Sequence, residues 1–146
     1  MATPSENGSC QTAETLEMGA PAATGNTTGN WPHGLDQDEC SLHAYSRGQF
    51  YSVSTSTGKG VKVTLDASPL QTMAEDTRFE VAVLTANCQT CVAVSDFLSL
   101  EDLPHTMELG VTPGELYVLV VSGQRFSDVG MFQVKVEVRK RKYKVQ

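Results

Sequence analysis

Long apolar runs are missing from this chain. The longest, in "GELYVLVVSG", has the length of a buried strand and falls far short of the ~18 residues of a membrane-spanning helix, so no membrane span is expected in this segment. Basic side chains are scarce over most of the length. Residues 1–134 carry sixteen acidic against five basic residues, a charge of −11. Such a body repels a nucleic-acid backbone and argues against nucleic acid as a partner. The start, "MATPSENGSC", has neither a basic n-region nor an apolar h-region, so no secretory signal is visible. A mature segment or a piece of a longer chain reads the same way.

Catalytic patterns are missing too. No Gly-x-Ser-x-Gly elbow occurs, and His33, His43 and His105 stand in unrelated sequence contexts. The stretch "STGKGVKV" lacks P-loop spacing and a following helix, and reads as a hairpin turn. The expectation is a protein that is not an enzyme and has no required cofactor.

Long amphipathic helices are equally lacking; what is present has a period of two. In "GVKVTLDA", Val61, Val63 and Leu65 alternate with polar residues, the pattern of a half-buried strand. "RFEVAVLT" sets Phe79, Val81 and Val83 on one face, "CVAVSD" sets Val92 and Val94, and "HTMELG" sets Met107 and Leu109. "GELYVLVVSG" is apolar on both faces, and "GMFQVKVEV" alternates Phe132, Val134, Val136 and Val138 inward. "RGQFYSVST" and part of "AATGNTTG" add two more segments, and "CQTAETLEMG" makes a short helical turn or extended piece closed by Gly19. Seven to eight short strands without intervening helices specify an all-β antiparallel sandwich. At 146 residues the chain can fill one core. The boundaries read as a loosely ordered segment 1–9, one sandwich over 10–138, and a basic tail 139–146.

The last twelve residues, "KVEVRKRKYKVQ", carry a charge of +5, against the acidic body. They can serve as an electrostatic docking strip or a nuclear-type address, or simply lead as a solvated strand end into a linker.

Four cysteines are present: Cys10, Cys40, Cys88 and Cys91. Three readings are open. Cys40, His43, Cys88 and Cys91 offer three sulfurs and an imidazole at two-residue gaps, a set that tetrahedral zinc accepts, in an intracellular domain. The Cys88–Cys91 spacing also fits a redox pair, although Cys91 opens a strand instead of lying at a helix N-terminus. Read as disulfides, Cys10 pairs with Cys40 and Cys88 with Cys91, worth roughly 3.5 and 2 kcal/mol in the chain-entropy account. The first bond would anchor a turn-rich N-terminal third that has few apolar side chains of its own.

The order of motifs resembles the pre-peptidase C-terminal domain family. "NGSCQTAETLEMG", "GNTTGN", "DEC", "SRGQFYSVSTSTG", "EDTRFEVAVLTANCQTCVAV" and "GELYVLVVSGQRFSDVGMFQV" follow one another as that pattern does. An early cysteine precedes a short Ala-Leu-Gly segment and a second cysteine precedes an aromatic strand. An Asp-Thr opens a strand that ends in a cysteine pair, and Gly-x-x-Tyr and Gly-x-Phe strands come last. The match runs from about Asn7 to Val138, and Phe50 stands where the family commonly has Trp. The resemblance implies a jelly-roll-like β-sandwich, extracellular or on a cell surface, and one non-catalytic module of a larger secreted or surface protein. It implies binding of protein or polysaccharide, or assembly with copies of itself, and it favours disulfides over zinc. A structural subunit of a surface filament, sheath or capsid is the alternative.

Candidate sites are few. Asp36, Asp38 and Glu39 in "LDQDEC", with Asp76 at the Asp-Thr position, form an oxygen set that could hold calcium, although "DQDE" completes no EF-hand and Asp76 suits a turn. Asn7-Gly-Ser and Asn26-Thr-Thr are N-glycosylation acceptors if the source is eukaryotic and the protein secreted. Trp31, the lone tryptophan, lies in the polar loop "NWPHG". Exposed, it could stack on a sugar ring or anchor a partner; buried, it would be a lid on one end of the core.

Overall fold

The computed structural model describes residues 6–55, 60–70 and 73–138. The basic tail beyond Val138 and the start of the N-terminal segment therefore lie outside the described residues.

Among the described residues nine strands form two sheets: β1 (Glu14–Thr15), β2 (Ala23–Asn26), β3 (Gly48–Ser54), β4 (Gly60–Ala67), β5 (Phe79–Thr85), β6 (Cys91–Val94), β7 (His105–Gly110), β8 (Leu116–Gly123) and β9 (Met131–Val138). One sheet runs β1-β3-β8-β5-β6 and the other β2-β9-β4-β7. Apart from the two-residue parallel β1–β3 pair, every pairing is antiparallel. The interleaved orders β3-β8-β5-β6 and β2-β9-β4-β7 are those of a jelly roll, whose successive strands mostly change sheet. The "STGKG" stretch, read above as a hairpin turn, lies outside the described residues apart from Gly60; β3 and β4, on either side of it, belong to different sheets.

The alternation read in the sequence sets the main core. Val61, Val63 and Leu65 of β4 and Phe132, Val134 and Val136 of β9 face inward against Phe79, Val81 and Val83 of β5, with the Phe79 and Phe132 rings edge to face at 5.7 Å. Strand β6 departs from expectation. A register shift at Val83/Leu84 turns Ala93 onto the main core, leaving Val92 exposed and Val94 on the opposite face.

That opposite face of the five-stranded sheet is not solvated. Phe50, Ala82, Leu84, Val118 and Val120 point outward from it and are covered by Leu42, Cys40 and the half-buried Ala13 and Leu35. Segments of the turn-rich N-terminal third, around Cys10–Ala13 and Leu35–Leu42, thus form a third layer. Asn7, among the described residues before Cys10, joins it. Asn7 is buried because Phe50 N–H donates to its carbonyl while its Nδ2 donates to the Phe50 carbonyl at 3.2 Å, which satisfies the margin of β3.

Two disulfides tie this layer down: Cys10–Cys88 (Cα–Cα 6.5 Å) and Cys40–Cys91 (5.5 Å). Disulfides rather than zinc or a redox pair are what the cysteines form, but the expected pairing is overturned. Cys88 and Cys91 sit at the turn end of the β5–β6 hairpin, with Cys91 opposite Leu84 on the outer face and Cys88 held at φ 61°. Each therefore meets the cysteine of the layer laid over it. A Cys88–Cys91 bond would have closed only the hairpin's own turn, and a Cys10–Cys40 bond would have joined the layer to itself.

A buried carboxylate holds the β8–β9 connection. Asp128 accepts from Arg125 Nε and a terminal guanidinium nitrogen at 3.1 and 2.9 Å, and from the Arg125 and Arg78 backbone N–H groups at 2.8 and 3.3 Å. Asp128→Ala strands these donors at a nearly closed site. It is expected to cost about 2–3 kcal/mol, read as a lower urea midpoint. An unchanged midpoint would refute the anchoring role.

Candidate functional site

Strand register decides which loops share an end of the sandwich. Gly48 pairs with Ser122 and Phe79 with Gly123, so loops 27–47, 74–78 and 124–130 gather at one end. At the other end Ser54 pairs with Leu116 and Thr85 with Tyr117.

Trp31 lies at the first end, and it is no lid: 77% of it is exposed, although it is the bulkiest apolar side chain in the protein. The loop beneath is nonetheless rigidly tied. On one side, the buried Asn30 sends its N–H to the Thr27 carbonyl (3.0 Å) and its Nδ2 to the Gly48 carbonyl (3.1 Å). On the other, Pro32 fixes its own φ, and His33 donates its N–H to the Ser46 carbonyl at 2.9 Å. Beside the ring runs a groove of ≈ 200 Å³ lined by Glu6, Ser9, Thr12, Asn30, Trp31 and Pro32. Ser9 caps the 3₁₀ turn Cys10–Thr12 and Thr12 closes it, their hydroxyls 2.9 Å apart, and Cys10, the first residue of the turn, is bonded to Cys88.

Below the loop, His33 Nε2 lies 3.2 Å from Ser122 Oγ, a serine–histidine contact that sequence contexts did not suggest. The network settles the tautomer. Leu35 N–H donates to His33 Nδ1 at 3.1 Å, so the proton is on Nε2 and is given to Ser122, which passes its own to the Gly123 carbonyl at 3.3 Å. Burial lowers the His33 pKa to about 4, with Asp36 partly opposing. A neutral imidazole that donates to the serine cannot take its proton. The pair is a structural link between layer and sheet.

Glu80, the cross-strand partner of Ser122, is 1% exposed, and its Oε1 has no hydrogen-bond partner. Burial alone raises its pKa to about 8. The one charged residue inside the otherwise apolar "FEVAVL" was the available signal for it.

Among solved structures, the pre-peptidase C-terminal domain of a collagenase from Bacillus anthracis matches with a TM-score of 0.55 at 11% identity, over 85% of this chain and 93% of that one. The chain has the fold of a pre-peptidase C-terminal domain. The structure of CBM51-2 and INT domains from Clostridium perfringens ZmpB matches more loosely, with a TM-score of 0.42 at 12% identity, over 80% of this chain and 28% of that one. No protein-family model and no curated protein matches the sequence.

Within this pre-peptidase-like fold the other expected residues scatter. Asp36 Oδ1 accepts the Ala44 N–H at 2.8 Å, and Asp38 and Glu39 open the 3₁₀ turn that ends at Cys40. Asp76 lies in the 74–78 loop, where its carbonyl receives Arg125 at 2.9 Å. Among the described residues, no three His, Cys, Asp or Glu side chains converge as a metal site. The zinc set is closed by the disulfides, and His43 stacks on Tyr45 at 5.4 Å. Asn7 is buried, and its Nδ2 donates to the Phe50 carbonyl. Asn26 is exposed, with its Oδ1 accepting the Thr28 N–H at 3.0 Å.

Proposed function

We propose that the chain is a non-catalytic extracellular or cell-surface module that mediates binding within a larger secreted or surface protein. The observation that carries the reading is Trp31. A large apolar ring held in solvent on a braced loop costs the isolated fold hydrophobic free energy, and a surface that meets a partner recovers it. The two disulfides support an oxidising compartment, since such bonds persist outside the cytosol. Asp36, Asp38 and Glu39 border the same loop cluster and add polar contacts at its margin.

Expression as a secreted protein tests the reading. Its mass should be lower than that of the reduced chain by four hydrogens, and it should be a monomer by light scattering. The labelled module should be retained on extracellular surface material without consuming it. Four free thiols in the native protein would sink the extracellular assignment. Filaments by negative-stain microscopy would replace binding with the structural-subunit alternative.

A further inference from the structure

We infer that the Trp31 groove takes one unit of a neutral pyranose polysaccharide, with the indole as the platform for the apolar face of the sugar. This rests on the binding-module reading above and names the ligand class.

The lining supplies the argument. A protein-docking hot spot places its aromatic anchor inside an apolar patch ringed by contacts that exclude water. Trp31 has a different setting: beside Trp31, Pro32 and Gly8 the groove is lined by the polar residues Glu6, Ser9 and Thr12, with the buried Asn30 beneath. One flat apolar face beside hydroxyl and carboxylate groups matches a ligand that is itself two-sided. A pyranose has C–H bonds on its faces and hydroxyls around its rim. The groove, at ≈ 200 Å³, is also smaller than the several hundred Å³ typical of sites that enclose a drug-sized molecule. It suits a single ring of a longer chain that runs on across the surface.

Charge narrows the class. Glu6 is the charged side chain lining the groove, and residues 1–134 carry −11, so sulfated and uronate chains are repelled while neutral ones are not. Preorganisation is built in from both sides. The Asn30 and His33 bonds fix the loop that bears the ring, and Cys10–Cys88 fixes the facing 3₁₀ turn. The wider cleft at the opposite end, ≈ 470 Å³, offers no comparable platform: Tyr117, the aromatic ring in its lining, is half-buried and its Oη accepts the Thr112 N–H at 3.0 Å.

Because Trp31 is the sole tryptophan, its fluorescence reports the groove directly. Cellohexaose, chitohexaose and laminarihexaose, titrated separately into the oxidised chain, are the neutral probes, with an alginate oligomer as the anionic one. At least one neutral oligomer should shift Trp31 emission to the blue and shield it from acrylamide, while alginate leaves it unchanged. By calorimetry, Trp31→Ala should weaken binding tenfold or more with an unchanged melting curve, and Trp31→Tyr should retain most of it. If no neutral oligomer perturbs Trp31, the glycan assignment falls. Retention on surface material that Trp31→Ala abolishes would then leave the module reading standing with a protein partner. Wild-type sugar affinity in Trp31→Ala would equally overturn the groove, whatever else the module binds.

Discussion

Replacing Cys10 and Cys88 with serine is expected to lower the melting temperature by on the order of 10 °C and to loosen the N-terminal layer before the sandwich. The bond spans 78 residues, and a loop of that length corresponds to roughly 4 kcal/mol of denatured-state entropy. For a chain of this size each kcal/mol moves the melting point by about 2–4 °C. What the bond restrains matters as much as its size. The layer lies on the outer face of the five-stranded sheet and contributes Leu42, fully buried, with Leu35 and Ala13 only half covered. The main core, by contrast, is closed by alternating residues from both sheets and needs no help from the layer. Amide exchange should therefore rise first across residues 7–13 and 35–42 and in the edge strand β6, while Val118–Val121 stays protected. A uniform rise would show that the layer and the sandwich unfold as one unit. A change confined to residues 87–92 would show that the bond stabilises only its own turn.

The limits of the sequence reading have the same origin. Strands β4, β7 and β9 bury one face, and a half-buried strand writes its environment into every second residue: Val61, Val63 and Leu65, or Phe132, Val134 and Val136. The covering layer has no such period. Its residues are held by single capping contacts, such as Gln37 Oε1 accepting the Cys40 N–H at 2.9 Å, which leave no repeating trace. With that layer unseen, the outer face of β5 had no reason to be buried, so the lone charge in "FEVAVL" was the single trace of Glu80 and the His33–Ser122 contact left none. The cysteine pairing failed similarly: four cysteines allow three connectivities, and only the position of the layer over the β5–β6 hairpin selects among them. Trp31 was legible as a candidate, but its exposure depends on Asn30 and His33 reaching partners far along the chain. Motif order succeeded where periodicity could not, because it records the sequence of elements without needing their contacts.

Glu80→Gln should stabilise the protein strongly above pH 8 and hardly at all at pH 4. In the folded state the carboxyl is held protonated to about pH 8 by burial, against an ordinary value of 4.5. Between those values the folded chain binds the proton and the unfolded chain does not, so stability falls as pH rises through that window. The full penalty, on the order of 3–5 kcal/mol, is present above pH 8. His33 acts in the opposite sense. Its pKa is lowered from 6.5 to about 4, so the unfolded chain binds the proton in that range and stability climbs with pH. From about 4.5 to 6.5 the two slopes oppose, and above 6.5 that of Glu80 acts without opposition from His33. Wild-type stability from urea titrations should accordingly fall between pH 6.5 and 8 with a slope near one proton. Glutamine has the shape of the protonated carboxyl and never ionises, so the variant should lose this fall and melt roughly 10 °C higher than wild type at pH 9. A variant that tracks wild type at every pH would mean that the folded protein hydrates or pairs Glu80 and pays no cost for its charge. A variant destabilised equally at pH 4 and pH 9 would mean that the site requires an acceptor that glutamine cannot supply.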